Sequence, residues 1–153
     1  MALLVKNLSC SLSGRKIISD ISFSLKTGEI LKISGENGSG KTTLLRTISG
    51  LSSFDSGEIL INKKEIFLLG HNVGIKQNLT VEEDLEFWSN FYQNEHDHKI
   101  LKKLSLNSKM HSQCRYLSQG QKQKLALTRL FCSNKKIWLL DEPFSFLDEE
   151  SSI

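Results

Sequence analysis

No apolar stretch in the 153-residue chain approaches the ~18 residues needed to cross a bilayer, so any membrane role has to come through a partner. The opening Met1–Val5 is too short for a signal peptide and breaks at Lys6 and Asn7. Cysteine is scarce: Cys10, Cys114 and Cys132 are scattered, odd in number and form no C-x-x-C pair. That excludes a disulfide framework and reads as free thiols in a reducing cytoplasm. There is no long basic run and the net charge is only +3, so nothing in the charge points to nucleic acid. Internal repeats and low-complexity segments are absent as well. With 24% charged and 39% hydrophobic residues, the composition is that of a soluble globular protein. The length suits one domain with a real core and is too short for two large ones.

Against that background one stretch stands out. Gly35-Glu36-Asn37-Gly38-Ser39-Gly40-Lys41-Thr42 fits G-x-x-x-x-G-K-[ST], the phosphate-binding loop. Upstream, Glu29–Ser34 reads as a short buried strand. Downstream, Lys41 to Ser49 carries Leu44, Leu45 and Ile48 at helical spacing, and Gly50 is placed to end the helix. Glycines let backbone N–H groups curl around phosphate oxygens, and the helix N-terminus adds partial positive charge. Lys41 would reach the β- and γ-phosphates and the Thr42 hydroxyl would ligate magnesium, with Thr43 beside it. The expectation is a protein that binds a nucleoside triphosphate.

The rest of the chain supplies the frame. Strands are expected at Leu3–Val5, Arg15–Ile18, Ile21–Leu25, Glu58–Ile61 and Glu65–Leu69, with Ser52–Gly57 a loop. From Thr80 the pattern turns helical: Thr80 and Glu83 form a capping box, and Leu85, Trp88, Phe91 and Tyr92 lie near one face. A polar linker from Asn94 to His98 precedes a short helix, Lys99–Leu104. Ser118 caps another helix over Gly120–Cys132, with Leu125, Ala126, Leu127, Leu130 and Phe131 as its buried side. Ile137–Leu140 is wholly apolar, as suits a parallel strand covered on both faces, and ends in Asp141-Glu142-Pro143. Asp141, at the C-terminal end of that strand, points into the crevice where open α/β sheets bind ligands and would hold magnesium. Glu142 would orient or deprotonate an attacking water.

Two further segments carry a family resemblance. Leu117-Ser118-Gln119-Gly120-Gln121 has the L-S-x-G-Q form of ATP-binding cassette (ABC) proteins, and Ile137–Asp141 followed by Glu142 resembles their Walker B strand and catalytic glutamate. The resemblance covers essentially the whole chain. It implies an α/β P-loop NTPase core with a parallel central sheet, an N-terminal antiparallel β portion and a helical insertion. The core would comprise about 1–70 and 118–153 of a single domain, and the insertion about 71–117. Ser118, Gly120 and Gln121 would reach the γ-phosphate bound by a second copy of the chain, giving an ATP-sandwich dimer. Finer matches, Leu69-Gly70-His71-Asn72-Val73-Gly74-Ile75-Lys76 with Leu79-Thr80, Arg115-Tyr116-Leu117, Glu142-Pro143-Phe144-Ser145 and Leu8-Ser9-Cys10, resemble the haem-exporter ATPases of cytochrome c biogenesis. That branch implies ATP and Mg2+ as cofactors and a transmembrane exporter subunit as partner, with cytochrome c maturation proteins alongside. It places the chain on the cytoplasmic face of the bacterial inner membrane. The alternatives are the ATPase of a different ABC exporter, or a shortened nucleotide-binding protein without hydrolysis.

The chain departs from the ABC pattern in places. His71 stands where most ABC proteins have glutamine; it is either part of the catalytic set or a loop residue away from the nucleotide. Leu12 stands near the place of the usual adenine-stacking aromatic. Asp148, in Ser145–Asp148, resembles the dimer-contacting loop, and the strand and switch histidine that usually follow are absent. ATP binding with weak or absent hydrolysis is the expectation for the isolated chain. His96-Asp97-His98 is read as a solvated turn in preference to a metal site. Phe87, Trp88, Phe91 and Tyr92 either form the core of the helical insertion or line a groove for a membrane partner. Lys122 and Lys124 are expected on an exposed helix face.

Overall fold

The computed structural model describes residues 2–94 and 99–144. His96-Asp97-His98 and the segment with Asp148 lie outside the described residues. By contact the chain divides into two units, Met1–Leu68 and Leu69–Ile153.

The first unit is built on an antiparallel sheet of three strands in the order β2-β1-β3. β1 spans Leu3–Leu12, β2 Arg15–Leu25 and β3 Ser56–Ile61. β1 runs well past the expected Val5 because Lys6-Asn7 is a bulge and not an end. Asn7 turns to φ 47 and its Nδ2 donates to Asp20 Oδ1 at 2.8 Å, where β2 makes its own left-handed step at φ 53. The same step joins the two expected strands Arg15–Ile18 and Ile21–Leu25 into one. β3 passes so close to the bulge that a Cβ on Gly57, at φ 106, would lie 2.6 Å from the carbonyl oxygens of Lys6 and Asn7. Helix α1, Lys41–Ser49, buries Leu44, Leu45 and Ile48 as its spacing requires, and Gly50 closes it in the left-handed region.

One expected strand is missing. Glu29–Ser34 has no regular structure, and Ile30 is 96% exposed. A strand forms only against a hydrogen-bonded neighbour, and among the described residues β1, β2 and β3 pair with one another while β4 (Ile66–Leu69) pairs with β5 (Ile137–Leu140). The apolar pattern of Glu29–Ser34 has no ladder to join.

The second unit holds α2 (Val81–Tyr92), α3 (Lys99–Lys103) and α4 (Gln119–Ser133) around a buried core of Val81, Leu85, Leu101, Leu106, Cys114, Leu117, Leu125 and Cys132. Both longer helices begin with a full capping box. Thr80 Oγ1 accepts from Glu83 N–H while Glu83 Oε2 accepts from Thr80 N–H, and Ser118 with Gln121 repeats the arrangement. Entrance and exit of the helical segment are stitched together: Cys114 N–H donates to Leu79 O at 2.8 Å and Arg115 N–H to Gln77 O at 3.0 Å.

Burial corrects three expectations. Phe131 faces outward and packs edge-on to Trp138, ring centroids 6.3 Å apart. Trp138 itself is 49% exposed, so among the described residues β5 is buried chiefly through Leu139. Lys122 and Lys124 are half-buried, not fully exposed. The aromatic run on α2 divides: Trp88 and Tyr92 pack on the core, while Phe87 and Phe91 remain exposed.

Burial raises the thiol of Cys114 to about 11 and pushes Cys132 upward too, which leaves both protonated and inert near neutrality.

Candidate nucleotide site

In the first unit the phosphate loop is an exposed turn leading into α1. Gly38 and Gly40 adopt φ 84 and 98, and a Cβ on Gly40 would lie 2.6 Å from Ile17 Cγ2, so β2 leaves room there for nothing larger. Lys41 folds back across the loop, its Nζ donating to Gly35 O at 2.8 Å and Glu36 O at 2.9 Å. The N-cap of α1 is Gly40, with no side-chain cap and no acidic residue in the first turn. The cation of Lys41 stands beside the leading N–H groups of that turn. A polyanionic triphosphate fits this donor set.

In the second unit three groups of candidate residues take defined places. Ser118 is the N-cap of α4, and Gln121 is committed to its capping box, with Gly120 between them in the first turn. Asp141 is buried at the end of β5, its N–H donating to Leu69 O at 2.8 Å. Glu142 follows at φ 51, a left-handed conformation that costs a non-glycine residue about 1 kcal/mol. Its Oε2 lies 3.6 Å from Nδ1 of His71, so the glutamate and the histidine flagged in the sequence do come together. Pro143 is held from α4, its carbonyl accepting from Gln123 Nε2 at 3.2 Å.

A pair that the sequence reading missed organises this region. Arg129 of α4 and Asp84 of α2 are both buried, 3.2 Å apart, and the guanidinium lies 4.5 Å from the Trp88 ring centroid. Arg129 also donates to Val73 O at 2.6 Å and Gly74 O at 3.5 Å, fixing the loop that carries His71. Burial pushes the Asp84 carboxyl upward, and Arg129 opposes that shift through charge and hydrogen bonding. The only signal in the sequence is a lone arginine inside Ala126-Leu127-Thr128-Arg129-Leu130; its partner is 45 residues away.

The profile of the ABC transporter family matches residues 18–145. The chain belongs to this family. As a member it is an ABC ATP-binding subunit of the ATPase class. It is similar to the "Cytochrome c biogenesis ATP-binding export protein CcmA" of Cereibacter sphaeroides, 38% identical over 99% of this chain and 72% of that protein. The protein of the same name from Aliivibrio fischeri is 35% identical over 95% of this chain and 78% of its own length. Among solved structures, an ABC transporter ATP-binding protein of Pyrococcus furiosus superposes with a TM-score of 0.86 at 28% identity, covering 97% of this chain and 79% of that one. The ABC ATPase architecture of antiparallel sheet, parallel strands and helices is thus shared, and no helix among the described residues is long and apolar enough to cross a membrane.

Proposed function

We propose that this ABC subunit powers a haem-exporter-type complex of cytochrome c biogenesis. It would work as one ATP-binding domain with residues 71–117 as a helical insertion, peripheral on the cytoplasmic face of the inner membrane. The observation that carries the nucleotide chemistry is the uncapped, acid-free start of α1 under the folded-back Lys41. The exporter assignment rests on the relatives named for cytochrome c biogenesis, with the Leu69–Lys76 run as its sequence counterpart.

In this reading Gly35 to Thr43 hold the triphosphate. Thr42 and Asp141 would hold magnesium, whose charge would offset that of the phosphates; a hydroxyl and a carboxylate are the hard oxygen donors this ion takes. A water oxygen bonds to the γ-phosphorus as the bond to the bridging oxygen of ADP breaks, and the water proton passes to Glu142. His71 belongs to the same reacting end. Ser118, Gly120 and Gln121 serve the nucleotide of a second copy of the chain, so turnover depends on dimerisation and is slow in the dilute chain.

Phosphate release from Mg-ATP over a range of protein concentrations tests this. Turnover that rises with concentration and disappears in Lys41→Ala and Glu142→Gln is expected. Turnover unaffected by both substitutions would overturn the assignment. Exporter membership is tested by affinity capture from membranes of the native cell, which should yield cytochrome c maturation proteins; a different transporter's subunits would refute it.

A further inference from the structure

We infer that His71 is a positioning residue that acts on hydrolysis through Glu142, by way of its Nδ1, and not by contacting the nucleotide as a side-chain amide would. The inference rests on the reading of Glu142 as the general base. Three observations lead to it.

First, the two side chains are brought together by backbone that is itself held. Asp141 N–H to Leu69 O joins the ends of β4 and β5, so the residues just beyond each strand emerge side by side. Beyond that bond the His71 loop is fixed by Arg129 at Val73 and Gly74 and by an Asn72 side chain that accepts from Gly74 N–H at 3.2 Å. Pro143, on the other side, is fixed by Gln123. A pair mounted on two anchored segments is preorganised, which is what a positioning contact needs.

Second, Glu142 occupies left-handed backbone at φ 51. Local strain of this kind persists only where surrounding contacts over-determine it, and here the carboxylate ends beside His71.

Third, the atom facing the carboxylate is Nδ1, at 3.6 Å from Oε2. That exceeds a direct hydrogen bond and suits either a small closing motion or one water touching both groups. Both side chains are about half exposed, so the pair is open to solvent and ligand.

The identity of the nitrogen gives the test its edge. The amide nitrogen of asparagine is bonded to Cγ, as Nδ1 is in histidine, whereas glutamine places its amide near the position of Nε2. If His71 acts through Nδ1 on Glu142, His71→Ala should lower kcat for Mg-ATP by about tenfold or more, in line with a misplaced base, while KM stays within about twofold. His71→Asn should recover most of that loss and His71→Gln little of it. A merely structural role for His71 would not sort Asn from Gln in this way, and a nucleotide-contacting role would favour Gln and move KM. Either pattern overturns the inference.

A second arm does not depend on turnover. The imidazole C2–H resonance of His71, assigned by its absence in His71→Ala, should shift in Glu142→Gln at fixed pH without nucleotide. No shift would refute the pairing even if the chain hydrolyses ATP. A wild-type chain that lacks turnover at every concentration would refute the hydrolytic reading of Glu142, leaving the resonance to decide whether the pair exists.

Discussion

The two units of this chain hold their functional residues by different means. The phosphate loop in the first unit is local: glycine dihedrals shape it, Lys41 bonds to carbonyls only five and six residues away, and Glu29–Ser34 ahead of it is exposed and unpaired in a ladder. The acidic end of β5 in the second unit is tertiary. Leu69, Gln123 and, through the His71 loop, Arg129 all bear on it across long sequence separations. A loop of the first kind would suit a flexible triphosphate, because its donors need only a few correct dihedrals. A base and its neighbour need the second kind, because displacing reacting groups by about 1 Å can cost 100-fold in rate.

Breaking this contrast should show most strongly at Arg129. Arg129→Ala strands Asp84 in a buried site and removes donors to Val73 and Gly74, so the second unit should lose about 3–5 kcal/mol in urea unfolding. The double change Asp84→Leu with Arg129→Met should recover much of that stability, yet not the grip on the His71 loop. A single-variant loss below about 1 kcal/mol would mean that the pair does not organise this unit.

Gly40→Ala comes next and attacks the local side. It forces a side chain to φ 98 and against Ile17, so ATP affinity should fall by tenfold or more, with about 1–3 kcal/mol lost in stability. Equilibrium dialysis against ATP, with urea unfolding of the same sample, separates the two effects. Thr80→Ala is smaller still: loss of the α2 cap should cost about 1 kcal/mol and leave ATP affinity alone. Phe91→Ser should change stability by less than about 0.5 kcal/mol, since its ring is exposed.

A pH dependence sharpens the same comparison. The Cys114 thiol has its ordinary value near 9 and is raised to about 11 in the folded chain. Between those values the native state binds more protons than the unfolded state, so stability should fall as pH rises through that window. Cys114→Ala should flatten the slope. Stability that climbs from pH 9 to 11 would contradict the burial of that thiol.

What was legible in the sequence follows the same division. The turn of the phosphate loop, the start and end of α1, the Thr80–Glu83 capping box and the Ser118 cap depend on residues within a few positions of one another, and each forms where its pattern says. Glu29–Ser34 has an equally apolar pattern, but a strand depends on a neighbour that sequence periodicity does not report. Phe131 and Trp138 mislead for a related reason: apolar character at helix or strand spacing marks a candidate core face, and whether anything covers it is decided elsewhere. The Arg129–Asp84 pair was hidden because charge in an apolar run becomes intelligible only with its partner. At the candidate site, Asp141 and Glu142 were read from a strand end, and the approach of His71 to Glu142 emerged only from the pairing of β4 with β5.

The proposed activity turns on Gly35 to Thr43 binding ATP through the Lys41-crossed start of α1. The most direct test is calorimetric titration of the wild-type chain and Lys41→Ala with Mg-ATP, circular dichroism confirming that both are folded. The wild type should bind and the variant should not; equal affinity in the two would mean that Lys41 and its loop do not hold the nucleotide.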